Sequence, residues 1–91
     1  MTATNTRILI ADDHRIIREG LKLLFSAEGD MSVVGEAGDG EEAIAQVEEL
    51  EPDLVLMDIS MPNCGGLEAM RTILEQQPDL KILAFSMHDD R

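Results

Sequence analysis

Three aspartates follow apolar runs of the kind that form buried strands. Asp12 and Asp13 come directly after the apolar residues 8–11, and Asp58 ends the run that begins at Leu54. If these two runs are neighbouring parallel strands, their carboxylates converge at one edge of the sheet. Carboxylates that are held together without a cation repel one another. A hard divalent ion such as Mg2+ removes that repulsion, because it prefers oxygen ligands.

Segments with the features of strands alternate with segments of helical period along the chain. Strands are predicted at residues 7–11, 32–36, 54–58 and 81–86, and helices at about 15–27, 40–50 and 67–77. Asp39 is the predicted N-cap of the second helix, because Glu42 follows it at the capping-box position. Such an alternation predicts an α/β fold with a parallel sheet covered on both faces. The continuous apolar strands agree with this prediction.

Helical spacing also predicts which side chains of the helices face the sheet. The predicted inward positions are Ile17, Leu21 and Leu24 in the first helix, Ile44, Val47 and Leu50 in the second, and Leu67, Met70 and Ile73 or Leu74 in the third.

Composition limits the class of protein. A chain of 91 residues allows one small domain, and no apolar run reaches the about 18 residues that cross a bilayer. The net charge of -12 argues against nucleic-acid binding by this segment. A single cysteine, Cys64, allows no internal disulfide, which suits a cytoplasmic protein. Two Phe residues without Trp or Tyr argue against base stacking and aromatic cofactor clamps.

The predicted sheet brings the three aspartates to the usual ligand position of such folds. In open α/β sheets, ligands bind beyond the carboxyl ends of the strands where the strand order reverses. An order of 2-1-3-4 places Asp12, Asp13 and Asp58 in one crevice there, with Ser86 at the end of the next strand. Carboxylates in that crevice can hold a metal that neutralises phosphoryl oxygens. Asp58 could then act as a nucleophile, because carboxylates can form acyl phosphates.

Each of these residues also has an ordinary structural interpretation. A lone aspartate at a strand end is more often a turn or helix cap, although all of them together favour a site. His14 is expected in the first turn of a helix, with its side chain leading away from the crevice. His88 is expected to be exposed, and Cys64 to be a loop residue without a basic partner.

Four segments resemble the receiver domain of the two-component response regulators. They are ILIADDH (8–14), VVGEAGDGEEAI (33–44), PDLVLMDISMPNCGGLEAM (52–70) and KILAFSMHDDR (81–91). The first two also resemble the subfamily whose receivers precede a LuxR-type helix-turn-helix domain. The resemblance implies a flavodoxin-like (CheY-like) doubly wound sheet and phosphorylation by a sensor histidine kinase. For the parent protein it implies a transcriptional regulator that binds DNA.

The resemblance also implies a role for each residue of the site. Asp58 corresponds to the phosphoacceptor, Asp13 to the direct Mg2+ ligand, and Asp12 to the acid that reaches the metal through water. Ser60 would give its backbone carbonyl to the metal. Ser86 corresponds to the residue whose hydroxyl binds the phosphoryl group and triggers the conformational switch.

Several family features have no counterpart in the 91 residues. These are the fifth strand with its lysine, the aromatic switch residue before it, and helices four and five. We therefore expect residues 1–91 to be an incomplete receiver domain that stops after the fourth strand. That strand would be an open edge, and the first helix would leave apolar sheet surface uncovered. Both features predict a homo-oligomer or domain-swapped dimer. The missing lysine and switch elements predict weak Mg2+ binding and weak phosphorylation.

Three other functions are open on the sequence. One is an interaction module whose acids are inactive because the lysine is absent. A phosphatase of the haloacid-dehalogenase type also uses an aspartate nucleophile and Mg2+, but one residue separates its two aspartates, whereas Asp12 and Asp13 are adjacent. A flavodoxin is disfavoured, because the chain lacks a Ser/Thr-rich phosphate loop and aromatic ring partners.

Overall fold

Strands and helices alternate along the whole of the computed structural model, which describes residues 5–61 and 65–86. The elements are β1 (Thr6–Ala11), α1 (Arg15–Ser26), β2 (Met31–Ala37), α2 (Gly40–Leu50), β3 (Leu54–Asp58), α3 (Gly66–Gln76) and β4 (Lys81–Phe85). The strands are parallel and lie in the order β2-β1-β3-β4. The predicted element order, sheet order and flavodoxin-like α/β class are therefore confirmed.

The central strands β1 and β3 are buried without alternation. Residues 8–11 of β1 and residues 55–58 of β3 are all buried. A strand in the middle of a parallel sheet that is covered on both faces has no side chain directed to solvent. This is why the sequence shows continuous apolar runs before the aspartates.

Helices α2 and α3 cover one face of the sheet, which we call the α2/α3 face. Its buried side chains are Leu9, Ala11, Ala37, Ala43, Val47, Val55, Met57, Met61, Ala69 and Ile73. The predicted burial of Val47 and Ile73 is confirmed, whereas the predicted burial of Leu67 is wrong, since Leu67 is 60% exposed. Helix α3 turns Ala69 and Ile73, which are four residues apart, toward the sheet. Leu67 lies two residues before Ala69 and therefore points to the opposite side.

Among the described residues, only α1 covers the other face, which we call the α1 face. Ile8, Ile10 and Leu56 are buried there, and Leu21 and Phe25 of α1 pack against them in part. No residue of α1 is itself buried. Leu24 is 66% exposed, so its predicted burial is wrong. Because Leu21 and Phe25 are the positions that meet the sheet, Leu24 lies at the flank of the apolar stripe.

An apolar groove runs between α1 and the strands β3 and β4. Its volume is about 540 Å³. The lining residues are Ile16, Ile17, Gly20, Leu21, Leu24, Phe25, Leu56, Leu83 and Phe85. Over the described residues, the groove is the open side of the α1 face, in agreement with the predicted uncovered apolar surface.

Helix α2 begins at the predicted N-cap. The side chain of Asp39 accepts a hydrogen bond of 2.9 Å from the backbone N–H of Glu42. Glu42 Oε1 accepts in turn from the backbone N–H of Gly38 at 2.7 Å, one residue before the position that a capping box would use. The cap fixes the start of α2 after β2. Within the described ranges, no helix has the length and apolar character that a membrane span requires.

Candidate metal centre

The acidic residues meet at the carboxyl ends of β1 and β3. These strands are hydrogen-bonded neighbours, with Ala11 opposite Met57, so Asp12 and Asp58 follow at the same edge. Ligand atoms of Asp12, Asp13, His14 and Asp58 all lie within 4.8 Å of one another. The predicted convergence of the three aspartates is confirmed, and the role of each residue stays a prediction.

Two oxygens of this cluster are buried without a hydrogen-bond donor. Asp12 and Asp58 are both fully buried. Within the part of the chain that the structure describes, Asp12 Oδ2 and Asp58 Oδ2 have no hydrogen-bond partner. Burying a polar oxygen without a partner is costly. A divalent cation would satisfy both atoms and offset the charge, and oxygen donors are the ligands that Mg2+ prefers. The residues therefore fit Mg2+.

Ser60 holds the other oxygen of Asp58. Asp58 Oδ1 accepts from the backbone N–H of Ser60 at 2.9 Å and from its hydroxyl at 2.6 Å. This local turn fixes the carboxylate at the end of β3. Ser60 thus reaches the site through its N–H and hydroxyl, and the contribution of its carbonyl to a metal stays a prediction.

His14 turns toward the aspartates and not away from them, so the prediction for its side chain is wrong. His14 is the N-cap of α1, with an extended backbone (φ -100°, ψ 109°). Its Nδ1 lies 2.8 Å from Asp12 Oδ1 and 3.3 Å from Asp13 Oδ1. The hydrogen bond to Asp12 and the charge of Asp13 raise the pKa of His14. The only signal in the sequence was its position directly after the two aspartates.

Arg18 is a second residue that the sequence did not reveal. Its Nη1 donates to the backbone carbonyl of Asp12 at 2.6 Å, and its Nε donates to Glu36 Oε1 at 2.9 Å. The guanidinium therefore ties the turn after β1 to the neighbouring strand β2. Nothing in the sequence distinguishes Arg18 from an ordinary surface arginine of an amphipathic helix.

Gly66 allows α3 to begin directly against the backbone of β3. A Cβ atom at Gly66 would overlap Asp58 O, and it would lie 2.6 Å from Ile59 Cα and 2.9 Å from Asp58 C. Real side chains do not tolerate such distances to a backbone. Only glycine fits at this position.

Ser86 follows the strand next to β3. Phe85 lies opposite Asp58 in the sheet register, and its carbonyl accepts from the N–H of Ile59 at 2.8 Å. Ser86 is exposed at the same edge of the sheet, and its switch role stays a prediction. Cys64 and His88 lie outside the described residues.

Comparison with known proteins identifies the family. Residues 8–91 match the model of the response regulator receiver domain. The chain belongs to this family. A receiver is a signalling domain, and the predicted family and its LuxR-type likeness are confirmed.

The receiver resembles both curated relatives and solved structures. It is 45% identical over 84 residues to the transcriptional regulatory protein DegU of Brevibacillus brevis, covering 92% of this chain and 36% of DegU. A LuxR-family response regulator from an Aurantimonas species superposes with a TM-score of 0.88 at 41% identity, over 94% of this chain and 61% of that one. A CheX–CheY complex with BeF3- and Mg2+ from Borrelia burgdorferi matches with a TM-score of 0.87 at 26% identity, over 97% and 66% of the two chains. The receiver thus spans about a third of the length of DegU.

Proposed function

We propose that this receiver accepts a phosphoryl group on Asp58 from a sensor histidine kinase, with Mg2+ held by Asp12, Asp13, Asp58 and the Ser60 carbonyl. The observation that carries the proposal is the pair of buried, unpartnered oxygens, Asp12 Oδ2 and Asp58 Oδ2. The CheY relative with BeF3- and Mg2+ supports the same ion. When bound, Mg2+ would neutralise the charge that gathers on the phosphoryl oxygens.

The residues of this chain supply the nucleophile and its positioning. A carboxylate oxygen of Asp58 attacks the phosphorus of a phosphohistidine, and an acyl-phosphate bond forms while the P–N bond breaks. The bonding electron pair leaves with the imidazole of the kinase. The hydrogen bonds from Ser60 orient the Asp58 carboxylate, and the Ser86 hydroxyl donates to a phosphoryl oxygen. With acetyl phosphate as the donor, we expect the same site to phosphorylate itself, with acetate as the leaving group. Attack of water on the acyl phosphate would then give self-dephosphorylation.

Intact-mass measurement tests the acceptor directly. The chain is incubated with acetyl phosphate and Mg2+, and we expect a mass gain of one phosphoryl group. The Asp58→Asn variant is expected to gain nothing, whereas the exposed control Asp79→Asn is expected to behave as the parent chain. A mass gain that persists in Asp58→Asn contradicts the proposal. No gain in the parent chain also contradicts it and favours the interaction module.

We further infer the setting of the parent protein from its relatives. DegU is a transcriptional regulatory protein, so we propose a cytoplasmic regulator of transcription that binds DNA outside these 91 residues. The net charge of -12 argues against direct DNA binding by the receiver itself. Binding of a promoter fragment to the longer protein but not to residues 1–91 is the expected result.

Self-association of the 91-residue chain is proposed from its β4 edge. Strand β4 lies at the end of the sheet formed by the described residues, and Leu83 in it is 59% exposed. A strand edge beside apolar surface favours pairing with a second copy. Light scattering is expected to give at least twice the monomer mass, by simple dimerisation or by domain swapping. A cooperatively folded monomer at all concentrations contradicts this proposal.

A further inference from the structure

His14 adds a nitrogen donor to a site that otherwise offers only oxygen. Its Nδ1 lies 2.8 Å from Asp12 Oδ1 and 3.3 Å from Asp13 Oδ1. We propose that His14 is a direct ligand of the metal and makes the site prefer a late first-row transition ion, such as Co2+, Ni2+ or Zn2+, over Mg2+. The inference rests on the proposed function only in taking Asp12, Asp13 and Asp58 as the other ligands.

The distances from His14 Nδ1 to the two carboxylates are close to those in a coordination shell. With metal–ligand bonds of about 2.1 Å, neighbouring ligand atoms are separated by about 3.0 Å in an octahedron and about 3.4 Å in a tetrahedron. The separations of 2.8 and 3.3 Å from His14 Nδ1 are close to these edges. The shorter contact is a hydrogen bond to Asp12 Oδ1 in the metal-free site, and a bound ion must displace the proton of that bond. The largest separation in the cluster, 4.8 Å, exceeds the about 4.2 Å across an octahedron. A small contraction around an ion is therefore sufficient to bring all four residues into contact with it.

Two independent features of the site point to a cation and to its class. The buried, unpartnered oxygens of Asp12 and Asp58 favour a cation, and an imidazole beside them favours one class of cation over another. Mg2+ takes oxygen ligands and gives up water reluctantly. Imidazole suits Co2+, Ni2+ and Zn2+, whose affinities for nitrogen ligands exceed those of earlier ions in the series.

The backbone of His14 is fixed while its ring can adjust. The N–H of His14 donates to Asp12 Oδ1 at 2.8 Å, which holds the Cα of His14 beside the cluster. The side chain is 53% exposed, so the ring has room to turn a nitrogen onto the ion. The simpler alternative is that His14 only pairs with the two carboxylates. That alternative predicts no difference between ions when His14 is replaced.

Calorimetric titration with Co2+ and Mg2+ separates these cases. The proteins are the parent chain, His14→Gln, and His88→Gln as a control for the other histidine of the sequence. We expect Co2+ to bind more tightly than Mg2+ to the parent chain. In His14→Gln, the Kd for Co2+ is expected to rise at least about tenfold, while the Kd for Mg2+ changes by less than about twofold. His88→Gln is expected to match the parent for both ions.

A spectroscopic measurement keeps the test independent of the stability of the variant. In the His88→Gln background, pulsed electron paramagnetic resonance of bound Cu2+ is expected to show coupling to one imidazole nitrogen. Absence of that coupling overturns the inference. It is also overturned if His14→Gln weakens Co2+ and Mg2+ equally, or leaves Co2+ binding unchanged.

Failure of this inference is distinguishable from failure of the proposed function. If Mg2+ supports phosphorylation of Asp58 but Co2+ affinity does not depend on His14, only the role of His14 is wrong. If Co2+ binds through His14 but no phosphoryl group is accepted in the presence of Mg2+, the acceptor function is wrong and the metal ligand stands.

Discussion

The two faces of the sheet are built in different ways. On the α2/α3 face, side chains such as Val47, Met57 and Ile73 are almost completely buried. On the α1 face, the helix itself has no buried residue, and Ile16, Leu23 and Leu24 are 66–81% exposed. One sheet therefore has a closed core on one side and an open groove on the other.

Charged contacts hold α1 where apolar burial is sparse. Glu36 of β2 lies 2.9 Å from Arg18 Nε and 2.7 Å from Lys22 Nζ. Arg18 also reaches the carbonyl of Asp12, so this ionic cluster connects α1, β2 and the metal site. The two faces therefore support the site differently. The position of Asp58 depends on apolar packing, whereas the turn that carries Asp12 also depends on ion pairs.

The largest expected difference between the faces comes from truncating one large apolar residue on each. Ile73→Ala leaves a cavity in the closed core and is expected to lower the free energy of unfolding by about 2–5 kcal/mol. Leu24→Ala removes a side chain that is 66% exposed, so its effect is expected to be below about 0.5 kcal/mol. Urea unfolding measures both. Equal losses would contradict the contrast between the faces.

A second test introduces one methyl group where α3 meets β3. Gly66→Ala places Cβ 2.6 Å from Ile59 Cα, which is expected to lower the free energy of unfolding by about 1–3 kcal/mol. The matched control is Gly65→Ala, whose nearest neighbour would be Met61 O at 3.8 Å. Gly65 is the N-cap of α3, and alanine is a poorer N-cap than glycine, so this control is expected to cost about 0.5–1 kcal/mol. Thermal unfolding followed by circular dichroism checks both, and a neutral Gly66→Ala would show that α3 is not in close contact with β3.

The smallest expected effect concerns the ionic cluster and depends on pH. The hydrogen bond from Lys22 lowers the pKa of Glu36, burial opposes this, and the hydrogen bond from Arg18 adds to the lowering. Because the folded pKa is below the unfolded one, the stabilisation is present above the unfolded pKa of about 4.3. It is lost as the pH falls through the folded pKa. Its size at neutral pH is expected to be below about 1 kcal/mol.

The variant Glu36→Gln isolates that contribution. It is expected to be slightly less stable than the parent chain at pH 7 and to approach it in stability as the pH falls below about 4. Urea unfolding across this range measures the difference, and 1 M salt is expected to reduce it at pH 7. A difference that grows as the pH falls would contradict the assignment.

Much of the fold and part of the site could be predicted from the sequence, because both follow from periodicity. The apolar runs before Asp12 and Asp58 determine where β1 and β3 end, and parallel pairing then brings their carboxylates together. Periodicity does not show which flank of an apolar stripe meets the sheet. For this reason the predicted burial of Leu24 and Leu67 is wrong. Periodicity also contains no information on the dihedral angles of a cap, which turn His14 into the site. Arg18 contacts a segment that is distant in the chain, at Glu36. Gly66 is needed because two backbone segments approach closely. Periodicity shows neither contact.

The close approach at Gly66 limits how the molecule can respond to a charge added at Asp58. The peptide of Asp58 is backed by α3, and the N–H of the next residue, Ile59, is bonded to the carbonyl of Phe85. A shift of the β3 backbone toward α3 would therefore bring Gly66 into overlap with Asp58 and Ile59. The segments that lie outside this contact are the residues that follow the strands at the same edge of the sheet, Ser60 after β3 and Ser86 after β4.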